Sequence, residues 1–198
     1  MSTNASARAA STLAANSFRE ALLAVGGEVH LVHTAAEAQA CLQAVLEEAH
    51  VRELVHHAAE TLAPLQLSAL AQQLQLTGPH GIGPQAHREH CARAGAGLTG
   101  AIAGIAATGT LVLAAAATTP RSTSLLPPLH VALLHSARIV PDIAAALLLF
   151  PAQALPSQII NITGPSRTGD IEHDLTTGVH GPARLVVILL HPESEHHP

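Results

Sequence analysis

Between Arg93 and Arg121 the chain carries no charged residue. An uncharged run of that length fits one of two settings. One is a membrane-spanning helix, which needs about 20 apolar residues. The other is a set of strands covered on both faces, which read as near-continuous apolar segments. Composition decides between them. The run is built from Ala, Gly and Thr, is interrupted by Gly95, Gly97, Gly100, Gly104 and Gly109, and lacks the aromatic anchors and flanking Lys/Arg cluster of a membrane helix. It therefore reads as buried strands near Gly97 to Ile105 and Thr110 to Ala116. Two strands with no helix between them predict an antiparallel hairpin.

Strands and helices alternate around this segment. Ser17 to Val25 has a helical pattern stopped by Gly26-Gly27, and Glu28 to Val32 suits a short strand. Thr34-Ala35-Ala36-Glu37 is a capping box that opens a helix through about Ala49, with Leu42, Val45 and Leu46 on one face. A strand over Arg52 to His56 follows, then helices over Pro64 to Leu74 and Pro84 to Ala94, divided by the turn-rich stretch Gly78 to Gly83. Further strands are expected near His130 to His135, Gln158 to Thr163 and Arg184 to Leu190. Further helices are expected over Pro141 to Phe150 and Asp170 to Thr177. Such alternation predicts an α/β fold with a mixed, mostly parallel sheet between layers. One domain over 17–192 is expected, with a loose N-terminal tail over 1–16 and a second tail over 193–198. At 198 residues one core suffices, since a chain of this size buries about 70% of its unfolded surface.

Composition narrows the chemistry. All nine basic residues are arginines, so Schiff-base lysine chemistry, pyridoxal-phosphate attachment and a P-loop lysine are excluded. The formal charge is −5, and Trp and Tyr are absent. The chain thus has neither the basic footprint nor the stacking platform of a nucleic-acid binder. Two cysteines, Cys41 and Cys91, are too few for a disulfide framework or an iron–sulfur cluster, and they suit a reducing cytoplasm.

Several motifs carry or fail to carry chemistry. Gly95-Ala96-Gly97-Leu98-Thr99-Gly100 spells a dinucleotide-binding string. However, a polar helix precedes it, and no acidic residue occurs between Glu89 and Asp142 to hold a ribose. His87, His90 and Cys91 share a helix face at metal-ligand spacing, but Arg88 and Arg93 beside them would repel a cation, so a solvated helix face is expected and no metal.

The stretch Ile159 to Glu172 runs from an apolar strand through Gly164-Pro165-Ser166 to Arg167, Thr168 and a helix led by Asp170 and Glu172. Arg167 at such a crossing suits a carboxylate or phosphate, with Ser166 and Thr168 as added donors. The competing reading is ordinary capping and an Arg167–Glu172 pair. Thr108-Gly109-Thr110 is either a ligand-approach loop or a plain hairpin turn. Arg121 is either a second anion anchor or a loop arginine bonded to strand-end carbonyls. His180, in Gly178-Val179-His180-Gly181-Pro182, is either a structural turn residue or a group that titrates near neutral pH.

Thr108-Gly109-Thr110-Leu111-Val112-Leu113, Arg121-Ser122-Thr123-Ser124-Leu125-Leu126-Pro127 and Gly164 to Pro182 together resemble the LUD-domain family and, within it, the lactate-utilization C group. The resemblance is strongest over about residues 95 to 190. It implies a three-layer sandwich similar to the sugar-phosphate isomerase and CoA-transferase fold. It also implies an accessory role in oxidizing L-lactate to pyruvate beside iron–sulfur partner proteins, with the clusters in the partners and no cofactor on this chain. The expected ligand pocket comprises Thr108, Gly109, Thr110, Arg121, Ser124, Gly164, Ser166, Arg167 and Thr168, with Glu172, Asp170 and His180 as catalytic candidates. The family commonly has an acid just before Thr-Gly-Thr, whereas here Ala107 stands there. Two alternatives remain open. One is a stand-alone enzyme acting on a phosphorylated or CoA-linked small molecule, and the other is a non-catalytic sensor. Helix 34–49 and the alanine-rich faces could supply a partner interface, and a homo-oligomer also remains open.

Overall fold

The computed structural model describes residues 2–58, 60–169, 175–177 and 181–192. In chain order the elements are α1 (Ser2–Ala24), β1 (Glu28–Val32), α2 (Ala35–Glu48), β2 (Glu53–His56), β3 (Gln75–Thr77), α3 (Pro84–Arg93), β4 (Ala96–Gly100), β5 (Ala103–Ile105), β6 (Thr110–Ala115), α4 (Ser122–Leu125), β7 (Leu129–His135), β8 (Ile139–Val140), α5 (Ile143–Leu147), β9 (Gln158–Ile162), β10 (Arg167–Gly169), β11 (Leu175–Thr177) and β12 (Arg184–Leu190). Short 3₁₀ turns fill Glu60–Leu65, Leu67–Gln72 and Ser136–Arg138.

Six strands form a wholly parallel sheet in the order β1-β12-β7-β4-β2-β3. Strict alternation along the central strands builds a core on each face. Leu129, Val131 and Leu133 of β7 and Val186, Ile188 and Leu190 of β12 face α2 and the first two 3₁₀ turns. Ala132, Leu134, Leu185, Val187 and Leu189 face Phe18 and Leu22 of α1 and Leu111 and Leu113 of β6. This makes three layers, with the second outer layer part helix and part sheet. That outer sheet has the order β8-β5-β6-β9 and mixes parallel and antiparallel pairs. Its inner face joins the second core, and its outer face packs on Ala146 of α5.

The uncharged run is therefore strand, as its composition required, and no described helix is long and apolar enough to cross a membrane. Five local expectations are corrected. The strand expected over Gly97 to Ile105 is two strands in different sheets, β4 and β5, so the hairpin is β5–β6 alone. The helix expected over Pro64 to Leu74 is two 3₁₀ turns broken at Gln66, whose φ is 41°. The helix over Pro141 to Phe150 shrinks to five residues capped by Asp142, whose carboxylate accepts from the Ala145 N–H at 2.8 Å.

The segment read as a loose tail, Met1 to Asn16, is helical from Ser2, because its alanines favour helix and Ala15 packs in the second core. The helix expected over Asp170 to Thr177 is, in its last three residues, the strand β11, paired antiparallel with β10. The β-branched pair Thr176-Thr177 favours that outcome.

Candidate functional site

Two connections leave the carboxyl ends of adjacent parallel strands on opposite faces. The chain after β2 runs into 3₁₀ turns that supply Leu62, Leu65 and Leu70 to the first core. The chain after β4 places Ala101 in the second core and runs through β5 into β6, which adds Leu111 and Leu113 to it. Such a divergence opens a crevice at the strand ends, where α/β sheets bind ligands. Here the loop between β6 and α4 docks beside it. Ala58 N–H donates to the Thr118 carbonyl at 3.0 Å, and the His57 ring Nε2 bonds the Pro120 carbonyl at 3.2 Å.

A cavity of about 640 Å³ lies against that loop, between α3 and the β6–β9 edge of the outer sheet. Arg88 and Pro84 come from α3, Pro120, Arg121, Ser122, Leu125 and Leu126 from the loop and α4, and Ala115, Ala116, Ser157 and Gln158 from the sheet edge. Arg121 Nη1 donates to Gln158 Oε1 at 2.6 Å, which orients the guanidinium without neutralising it. Neither Arg121 nor Arg88 forms an ion pair among the described residues. The contrast is Arg184, which donates to Glu28 at 2.6 and 2.8 Å and to Glu48 at 3.0 Å. Among the described residues, no carboxylate, imidazole or thiol lines the cavity. Its described walls can bind and neutralise an anion, and a proton carrier or nucleophile would have to come from elsewhere.

Beneath this cavity lies a buried polar layer. His87 Nε2 lies 3.1 Å from Thr123 Oγ1, and Thr99 Oγ1 lies 2.9 Å from His130 Nε2. His57, His87 and His130 are all at most 2% exposed, and their Nδ1 atoms have no partner among the described residues. The Pro120 carbonyl can only accept, so His57 carries its proton on Nε2 and its Nδ1 is a bare lone pair.

Burial pushes His57 down to about 4, opposed by its bond to Pro120 and helped by His87 and His56. Burial, with His57 nearby, pushes His130 down to about 3. Burial likewise lowers His87 and raises the Cys91 thiol. These imidazoles are neutral framework groups at pH 7.

The expected pocket does not converge on one place. Thr108, Thr110 and Thr163 form a hydroxyl chain with 2.6 and 2.7 Å spacings. Gly109 and Gly164, both at positive φ, close against Leu22 and Val25 at the end of α1. Arg121 lies at the other end of the β6–β9 pair, whose ladder runs from Ala115–Gln158 to Leu111–Ile162. Those ends are about 13 Å apart at the usual rise per residue. Ser124 is buried and donates to the Arg121 carbonyl at 3.1 Å, so it closes its own turn. Ser166 N–H donates to the Pro182 carbonyl at 2.8 Å. Arg167 and Thr168 sit in β10, before a strand rather than a helix. Asp170, Glu172 and His180 lie outside the described residues.

The face bearing His87, His90 and Cys91 is not solvated as expected. His87 and Cys91 are buried, and His90 bonds Glu53 at 2.7 Å. No group of three or more metal-ligating side chains forms among the described residues. Arg88 was missed as a site residue, although the sequence holds a signal for it. Arg93 has Glu89 four residues before it, whereas Arg88 has no acid three or four residues away on its helix.

A model of the LUD domain matches residues 15–190. The chain belongs to the LUD-domain family. This LUD chain is 37% identical over 100 residues to an uncharacterized protein of Neisseria meningitidis serogroup B, covering 50% of this chain and 43% of that one. It is 38% identical over 107 residues to lactate utilization protein C of Bacillus velezensis, covering 52% and 44%. To lactate utilization protein C of Bacillus subtilis it is 38% identical over 103 residues, covering 50% and 43%. The matched stretches span less than half the length of these relatives. A crystal structure of a DUF162 family protein from Deinococcus radiodurans superposes with a TM-score of 0.66 at 23% identity, covering 91% of the LUD chain and 98% of that chain. At that identity the likeness shows a shared fold.

Proposed function

We propose that this chain is an accessory component of lactate utilization. In this reading it holds an anionic ligand between Arg88 and Arg121 and works in the cytoplasm beside iron–sulfur proteins that carry the electrons. The observation that carries the reading is a pair of arginines with no carboxylate partner among the described residues, in a cleft beside the loop that docks on the chain leaving β2. Its direction toward lactate comes from the relatives named lactate utilization protein C.

The need for partners rests on the cysteines. Cys41 packs against the core on one face of the sheet, and Cys91 lies with Val55 and Ala94 under α3 on the other. A cluster needs about four thiolates together.

The test is growth and capture. A strain lacking this gene should grow poorly on L-lactate and recover with the wild-type chain, and the tagged chain should bring down iron–sulfur proteins and lactate-dependent dye reduction from cells grown on lactate. Normal growth of the deletion strain, or a chain that elutes alone, removes the accessory reading.

A further inference from the structure

Two properties of the Arg88–Arg121 cleft say what it takes. The first is capacity. A hydroxyacid of six heavy atoms, at no more than the roughly 30 Å³ a water occupies in the liquid, fills less than a third of the space. At about 640 Å³ the cavity is of the size that holds drug-sized ligands.

The second is the pattern of its walls. Two guanidinium forks, with no acid among the described lining residues, offer two positive charges to whatever binds. A monocarboxylate satisfies one fork, whereas a phosphate monoester carries about −1.5 to −2 at pH 7 and three acceptor oxygens. Around the forks the wall is apolar. Leu125 and Leu126, exposed by 38% and 45%, stand with Pro84, Pro120, Ala115 and Ala116. A divalent cation on the ligand would need carboxylates, which the walls lack among the described residues.

Taking the reading of this cleft as a ligand site as given, we propose that its ligand is a metal-free organic phosphate with an apolar body, not lactate itself. The phosphate lies on Arg88 and Arg121, and the apolar body covers Leu125 and Leu126. Gln158 is a positioning residue that aims Arg121 through its 2.6 Å hydrogen bond.

The experiment is calorimetric titration of the full chain at low salt with EDTA, using phenyl phosphate, inorganic phosphate, succinate and L-lactate as probes. Phenyl phosphate should bind at least about tenfold more tightly than inorganic phosphate, and both more tightly than L-lactate or succinate. R88Q and R121Q should each weaken phenyl phosphate by roughly tenfold or more. L126S should erode the advantage of phenyl phosphate over inorganic phosphate and leave inorganic phosphate unchanged. R52Q, a change at an exposed arginine before β2, should leave all four affinities as they are. Replacing EDTA with magnesium should not raise affinity.

The proposal is overturned if L-lactate or succinate binds as tightly as phenyl phosphate. It is equally overturned if R88Q and R121Q, unfolding at the wild-type temperature, bind phenyl phosphate normally. The same variants in the deletion strain separate the two readings. Lactate growth that needs both arginines without phenyl phosphate binding sinks the ligand class alone. Phenyl phosphate binding at the arginines in a strain that grows on lactate without the gene sinks the lactate role alone.

Discussion

The histidines beneath the cleft make the chain's stability depend on pH in a calculable direction. Folding lowers His57 from 6.5 to about 4 and His130 from 6.5 to about 3, so the unfolded chain binds protons that the folded one refuses. The stability these rings contribute is full above pH 6.5 and is lost as pH falls toward about 4 for His57 and about 3 for His130. Within the shared window each ring accounts for up to about 1.4 kcal/mol per pH unit. Glu28, held low by its hydrogen bonds to Arg184, adds a loss only below 4.5, which leaves the upper part of the window to the histidines. Urea denaturation repeated down through this window should show the loss, and H57Q should make the slope shallower. An unchanged slope in H57Q would place the protonation elsewhere. At this scale the sequence was partly legible. Arg121 stood out because it ends an uncharged run, whereas His87 read as a helix-surface residue because only tertiary packing buries it.

Elements were legible where local chemistry and burial agreed. The Thr34 hydroxyl accepts from the Glu37 N–H at 3.1 Å, and Glu37 answers by accepting from the His33 N–H at 2.8 Å, so the capping box set the start of α2. They were illegible where one apolar run serves two sheets. Nothing local marks the break between β4 and β5, because both halves are buried and charge-free. Of the glycines in the dinucleotide-like string, Gly97 has a packing role instead. A Cβ at Gly97 would collide with the Thr123 carbonyl oxygen and come within 3.0 Å of its carbon and 3.2 Å of Pro127 Cγ, so the bare backbone lets α4 lie on β4. A Cβ at Gly95 meets nothing closer than 3.5 Å. G97A should therefore cost about 3 kcal/mol or more, because the obstructing atoms belong to backbone that cannot turn aside. G95A should stay within about 1 kcal/mol of wild type. Equal midpoints for the two variants in urea would mean that α4 is not held against β4.

For the molecule as a whole, the layered α/β class followed from alternation of elements, but the division of strands between two sheets did not. That division has a physical consequence. Strands β7 and β12 lie inside the parallel sheet with six buried residues each, so their amides can exchange only when both cores open. The outer sheet is anchored on one face by the second core, and on the other it has, among the described residues, the small cluster around Ala146. Its edge strand β8 is two residues long. Hydrogen exchange should find β7 and β12 most protected and at nearly one free energy, with β5, β6, β8 and β9 exchanging through a cheaper opening. The cleft joins these two units, since Arg88 rides on α3 between β3 and β4 while Gln158 belongs to β9 of the outer sheet. An anion held by Arg88 and by the Arg121–Gln158 pair must tie the outer sheet to the parallel one. Adding phenyl phosphate should slow exchange in β6 and β9 and leave β7 and β12 at their global limit, apart from any rise in overall stability. Equal protection of both sheets without ligand would mean that the two cores unfold as one.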